Sequence, residues 1–164
     1  MEQEMMIAIG KGGAFCAVAF AAIGSTLGAG TAGASAVGAW KKCYAQKRAA
    51  PFQLAVFSGA PLSQTIYGLI LMVLMNNKIN EGAAGYWPVF IAIGVVGGIA
   101  MGVSAWYQGI AAACSCDAFA ETEKGFTNDL MILGIIETVA LFIMVFGIVL
   151  INTIKTTPVA ATLN

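Results

Sequence analysis

Long apolar runs without charge constrain this chain more than any other feature. Runs 12–40, 49–77 and 82–116 contain no Asp, Glu, Lys or Arg, and run 130–154 contains a single charged residue, Glu137. Each run exceeds the roughly 20 residues that a helix needs to span a bilayer. With 59% hydrophobic and only 10% charged residues, the composition lies outside the range of soluble globular domains. The pattern therefore predicts an all-α membrane protein of four transmembrane helices, with almost no chain left for a soluble catalytic domain.

Against that background Glu137 is the functional lead. A charge near the middle of a bilayer costs about 2.5–3.5 kcal/mol on insertion scales, so it persists where it is paired, protonated or bound to an ion. No Lys or Arg lies in any apolar run, and the other charges fall in apparent loops and termini. The expected partner is a proton, a metal ion or another subunit.

The loop charges give an orientation. Lys41, Lys42, Lys47 and Arg48 follow the first run, Lys78 and Glu81 follow the second, and Asp117, Glu121, Glu123, Lys124 and Asp129 follow the third. Positive residues in short loops mark the cytoplasmic side. This predicts cytoplasmic loops at 41–48 and 117–129 and both termini outside. The first run is too long for a signal-peptide core, and Lys11 makes a thin positive flank, so it is expected to be a permanent helix. The chain has no His, so Cys16, Cys43, Cys114 and Cys116 have no zinc-like spacing with histidine and are expected to act as small apolar fillers. Zero net charge and the lack of a basic patch give nucleic acid no footprint.

An internal repeat organises the runs. When the chain is slid along itself until Gln64-Thr65-Ile66 falls on Glu137-Thr138-Val139, the halves align without a gap. Gly24, Ala29, Thr31, Ala32 and Ala36 then fall on Gly97, Gly102, Ser104, Ala105 and Gly109. The expected units are two helical hairpins, 12–77 with helices over 12–40 and 49–77, and 82–154 with helices over 86–116 and 127–154. An even number of crossings between the copies makes them parallel repeats. Gln64 stands where the second copy has Glu137, so one ionisable group serves four helices. The first helix of each copy is rich in Gly, Ala and Ser, which permits close backbone approach inside lipid. That richness fits either ordinary helix pairing within a monomer or a crowded inner ring of an oligomer.

Polar residues gather near the carboxylate. Ala60, Ser63, Gln64 and Tyr67, spaced i, i+3, i+4 and i+7, share one helical face around Pro61. Pro61 lacks an N–H and is expected to free a carbonyl and distort the helix. Gln108 and Ser104 lie one turn apart on the third helix, and Thr138 adjoins Glu137. Ser104 and Thr138 read as packing or backbone-bonding residues, whereas a buried amide such as Gln64 or Gln108 needs partners for both its donor and its acceptor. Glu137, Gln64, Gln108, Ser63 and Tyr67 together would form an all-oxygen environment. Hard ligands with one negative charge suit a monovalent cation, and the additional amides and hydroxyls favour sodium over a proton. Trp87 and Tyr86 read as interfacial belt residues. Gly28-x-Gly30-x-x-Gly33 matches a dinucleotide fingerprint in letters alone, since it lies inside an apolar run with no preceding strand.

These strings resemble a known family. The duplicated glycine-rich hairpins, the carboxylate confined to the last helix, A-P-L-S-Q-T-I-Y-G at 60–68 and I-I-E-T-V-A at 135–140 are similar to the c or K proteolipid of the rotor ring of V-type and V/A-type ATPases, nearest its bacterial sodium-translocating branch. The resemblance implies a non-catalytic subunit that forms a membrane ring with copies of itself. It also implies a stator a/I-type subunit supplying an Arg, a central-stalk subunit at the cytoplasmic loops, and a bacterial plasma membrane as the location. For the site it implies Na+ ligands at the Ala60 carbonyl, Ser63, Gln64, Gln108 and Glu137, with Tyr67 hydrogen-bonding the carboxylate; H+ alone is the alternative. The branch pattern has Leu and Thr where this chain has Ala60 and Ser63. Two other readings stand beside this one: a small proton-coupled secondary transporter using Glu137, and a passive pore or scaffold.

Overall fold

In the computed structural model, which describes residues 2–156, the described chain is helical apart from the short turns at 46–52 and 123–125 and the last few residues. The elements are α1 (Gln3–Ala45), α2 (Gln53–Gly59), a tight 3-10 turn over Ala60–Leu62, α3 (Ser63–Lys78), α4 (Trp87–Ala92), α5 (Gly98–Thr122) and α6 (Phe126–Thr153). Wide helical turns over Ile79–Ala83 and Ile93–Gly97 join α3 towards α4 and α4 to α5. Three helical stretches, Gln3–Ala45, Gln53–Thr122 and Phe126–Thr153, are long and apolar enough to cross a membrane. Helix is the economical form for such sequences, because each N–H and C=O is satisfied within its own segment.

The middle stretch is not straight. Gly82 adopts φ 98°, a conformation open to glycine, and the chain reverses there. Gly68 lies against Ala17 and Val18, while Gly98 lies against Cys16 and Ala17. Along an unbroken helix those two glycines would be about 45 Å apart. Both instead touch the same turn of α1, so α3 and α5 run beside it in opposite directions.

Helix ends differ from those expected. Helix α1 begins before residue 12 and continues past residue 40, taking Lys11, Lys41 and Lys42 into the helix; α3 carries Lys78, α5 carries Asp117 and Glu121, and α6 carries Asp129. These charges are therefore helical and not in loops, because an end of the apolar run does not end the backbone ladder, and Lys and Glu are good helix formers in water. The chain leaves α1 only at Lys47 (φ 57°), where the Arg48 amide donates to the Cys43 carbonyl at 2.9 Å. It leaves α5 at Glu123 (φ 55°), with Gly125 (φ 89°) completing the turn.

Helices α1 and α5 form the closest pair. A methyl group on Gly24 would overlap the Gly102 backbone, and one on Gly109 would overlap Gly28. Only residues without a side chain allow this approach, and dispersion between the two backbones is the return. Two apolar clusters fill the remaining interfaces. One centres on Leu71, Phe90 and Met101, the other on Leu54, Phe57 and Phe119 with Phe126 packed against it. Helix α6 covers α3 and α5 and turns Ile135, Phe142, Phe146 and Val149 outward.

The cysteines are all free: Cys43 and Cys116 are buried, and Cys16 is half-buried. Cys114 is exposed and so is not the core filler that its sequence context suggested.

Candidate functional site

Between the two apolar clusters lies a band of polar side chains drawn from α3, α5 and α6 and from the turn at Pro61. Having no N–H, Pro61 cannot continue the α-helical ladder, and the backbone tightens into the 3-10 turn Ala60–Leu62. The turn brings three oxygens together. Ser63 Oγ lies 3.2 Å from the Ala60 carbonyl and 3.2 Å from Gln64 Oε1. One hydroxyl proton cannot serve both acceptors fully, so lone pairs remain for a further electrophile.

From there the hydrogen bonds run inward. The Gln64 amide donates to Gln108 Oε1 at 2.8 Å, and Gln108 Nε2 donates to Glu137 Oε2 at 3.2 Å and to the Leu133 carbonyl at 3.1 Å. Tyr67 donates its phenol to the other carboxylate oxygen, Glu137 Oε1, at 2.5 Å. Gln64 and Gln108 are fully buried, whereas Glu137, Tyr67 and Ser63 are half-buried. The carboxylate thus stays reachable from the α6 side while its supporting amides do not.

Two hydroxyls fix the backbone that carries the carboxylate. Ser104 donates to the Ile136 carbonyl across α5 and α6 at 2.9 Å, and Thr138 donates to Gly134 within α6 at 2.7 Å. Neither addresses the carboxylate. All six residues singled out in the sequence, Ala60, Ser63, Gln64, Tyr67, Gln108 and Glu137, belong to one connected chain of contacts. The Leu133 carbonyl was not among them, although its place one turn before Glu137 on the same face was a usable signal.

Among the described residues no cationic side chain pairs with this carboxylate. The ion pairs there are Lys42–Glu121, Arg48–Glu123 and Lys78–Glu81, all at the ends of the helices. Also among the described residues, no three His, Cys, Asp or Glu side chains cluster as a multivalent-metal site would require. The donor set is neutral oxygen with a single carboxylate, which fits one positive charge.

At one end of the molecule, Trp40 donates its indole N–H to the Pro51 carbonyl at 2.7 Å, and Arg48 reaches the Ala120 carbonyl at 3.0 Å. The first contact ties the turn after α1 back to α1, and the second ties it to the end of α5. Lys42 holds the Glu121 carboxyl below the usual carboxylate range, and Glu121 holds the Lys42 ammonium above its ordinary value, through their hydrogen bond and charge.

Residues 91–150, which include Gln108 and Glu137, match the family model of the C subunit of ATP synthase. A-type ATP synthase subunit K of Methanocaldococcus jannaschii is 32% identical to this chain over 143 residues, covering 87% of this chain and 61% of that relative. The chain therefore spans less than two thirds of the relative's length. Both comparisons point the same way as its motifs: the chain is similar to the C and K subunits of ATP synthases. Together with its apolar helices, this makes it an integral membrane protein.

Proposed function

We propose that this chain is the ion-carrying subunit of the rotor ring of a V/A-type ATPase, with Na+ as its cargo and no catalytic chemistry of its own. The observation that carries the reading is the continuous contact chain from the Ala60 carbonyl through Ser63, Gln64 and Gln108 to Glu137, closed by Tyr67. A proton would need the carboxyl and one or two partners. The extra oxygens gathered at the Pro61 turn, with more lone pairs than protons, favour a hard monovalent cation over a proton.

On this reading the cation sits among the Ala60 carbonyl, Ser63 Oγ, the Gln64 and Gln108 amide oxygens and the Glu137 carboxylate, while Tyr67 orients the carboxylate. The two limbs that meet at Gly82, together with α1 and α6, are four transmembrane helices arranged as duplicated parallel hairpins, 12–77 and 82–154. Support comes from the reversal at Gly82 and from the repeat that sets Gln64 on Glu137. Copies of the chain close into a ring through their small-residue helices, with α6 facing lipid.

The mechanism is electrostatic. While α6 faces lipid, the bound cation neutralises Glu137, as a charge in hydrocarbon requires. When the half-exposed carboxylate comes opposite an Arg of a stator a/I-type subunit, the guanidinium replaces the cation, which leaves through an aqueous path. Each ion moved across 100 mV stores about 2.3 kcal/mol. One site per four helices lowers the ion count per turn, which suits ATP-driven pumping against a steep gradient. The basic cluster Lys41, Lys42, Lys47 and Arg48 supports cytoplasmic placement of 41–48 and 117–129; a bacterial plasma membrane and a central-stalk subunit docked on these segments rest on the motif resemblance alone.

The test is carbodiimide labelling of the purified complex. Glu137 should be the residue modified, and sodium should slow the modification at fixed pH. Labelling that accelerates on acidification yet ignores sodium would assign the cargo as a proton.

A further inference from the structure

Ser25 is the one buried hydroxyl of α1 that neither its own helix nor a neighbouring one satisfies. It is 2% exposed, and its Oγ has no protein hydrogen-bond partner. The usual fate of a hydroxyl in an apolar helix is a bond to the carbonyl four residues earlier. Thr26, Thr31, Ser58, Ser115 and Thr138 all follow that rule, donating to Ala22, Leu27, Leu54, Ala111 and Gly134. Ser25 departs from it, and an orphaned buried hydroxyl is costly enough to demand an explanation.

The contacts of α1 with α3 locate what it faces. Gly28 abuts Pro61, with a built Cβ 2.9 Å from the Pro61 Cβ, while Gly68 abuts Ala17 and Val18. The two helices are therefore antiparallel along this seam. Ser25 lies three residues before Gly28 on α1, and Gln64 lies three residues after Pro61 on the other strand of the seam. Both are one turn from the same contact, in the same direction, and both are buried. Gln64 has a matching need. Its amide carries two protons and spends one on Gln108 Oε1.

We propose that Ser25 is a positioning residue of the cation site: its hydroxyl takes the second amide proton of Gln64, directly or through one buried water, and so holds Gln64 Oε1 towards the cation. The inference rests on the reading of Gln64 as a ligand. With its nitrogen fixed on two acceptors, the Gln64 amide cannot rotate to turn N–H towards a positive charge. Through the Gln64–Gln108–Glu137 chain the same contact steadies the carboxylate. It gives α1, which otherwise meets its neighbours at this depth through small packing residues such as Gly24 and Gly28, a part in ion selection.

The test compares Ser25→Ala with Thr26→Ala in the assembled complex, reading the sodium concentration that half-protects Glu137 from carbodiimide. Ser25→Ala removes one oxygen from a site that already tolerates alanine neighbours. It should raise that concentration about fivefold, the worth of one ordinary hydrogen bond, whereas Thr26→Ala should leave it unchanged. Equal protection in wild type and Ser25→Ala overturns the proposal. A high-resolution structure of the wild-type ring decides it independently of the ion. Ser25 Oγ should lie within about 3.5 Å of Gln64 Nε2 or of a water bonded to it, and a Ser25 turned onto the Ala21 carbonyl overturns the proposal. If wild type shows no sodium protection, the sodium reading falls, and the ring structure alone decides the role of Ser25.

Discussion

Replacing Tyr67 with Phe removes one oxygen and leaves the ring, the helix and the neighbouring packing in place, so it isolates one contact. That contact is the phenol donating to Glu137 Oε1 at 2.5 Å, while Gln108 holds Oε2 at 3.2 Å. A hydrogen bond to a charged acceptor contributes about 1.5–3 kcal/mol. Since each factor of ten corresponds to about 1.4 kcal/mol, its loss should weaken a cation complex that relies on an oriented carboxylate by roughly 10- to 100-fold. The lower end applies if Gln108 alone keeps the carboxylate near its place. The assay is the sodium concentration that half-protects Glu137 from carbodiimide in the purified complex at fixed pH, with Tyr107→Phe as control because Tyr107 is exposed on α5. A Tyr67→Phe midpoint equal to that of wild type would refute the reasoning, since it would mean that the phenol contributes nothing to the bound state.

Three further outcomes are expected. On the proposed function, Glu137→Gln keeps the shape and the Gln108 contact but loses the single charge of the apolar runs, so the complex should assemble while ATP-driven sodium uptake into vesicles disappears; retained uptake would overturn the assignment of the cargo to Glu137. Gly28→Val drives a side chain into the Ala105 carbonyl and Pro61, and overpacking of about 1–3 kcal/mol or more should lower the melting temperature of the purified protein, whereas Gly30→Ala, which meets open space within its own chain, should not. Glu121→Gln tests the exposed Lys42 pair: a depressed carboxylate stabilises above its ordinary pKa and loses that effect as pH falls through its folded value. Both side chains are exposed, so salt screening should leave the melting temperature at neutral pH unchanged, and a fall like that of Gly28→Val would show the pair to matter structurally.

The parts of the fold legible in the sequence were those governed by periodicity. Ala60, Ser63, Gln64 and Tyr67 could be put on one face because helical spacing is rigid over two turns, and Gln108 and Glu137 could be singled out because an amide or a carboxylate in an apolar run needs a reason. Helix ends were not legible, since hydropathy marks where the apolar stretch stops and not where hydrogen bonding stops. Lys11, Lys42 and Glu121 all continue helices into the polar region.

Backbone donors and acceptors leave even less trace. The Leu133 carbonyl accepts from Gln108, and the leucine side chain itself says nothing of that role; only its place one turn before Glu137 points to it. Ser25 carries a letter-level sign, yet in the sequence it stands among many small residues of α1, because small size and an unspent hydroxyl are the same residue type until the partners are known. What separates the two roles is the Gly28–Pro61 contact, which fixes the register of α1 against α3 and so puts Ser25 level with Gln64. The glycines and the proline therefore do more for this site than permit close packing. They set the depth at which each polar group meets the carboxylate: a one-turn slip of α1 would carry Ser25 away from Gln64 and would set a side chain, Phe20 or Ala32, where Gly24 or Gly28 now meets the α5 backbone.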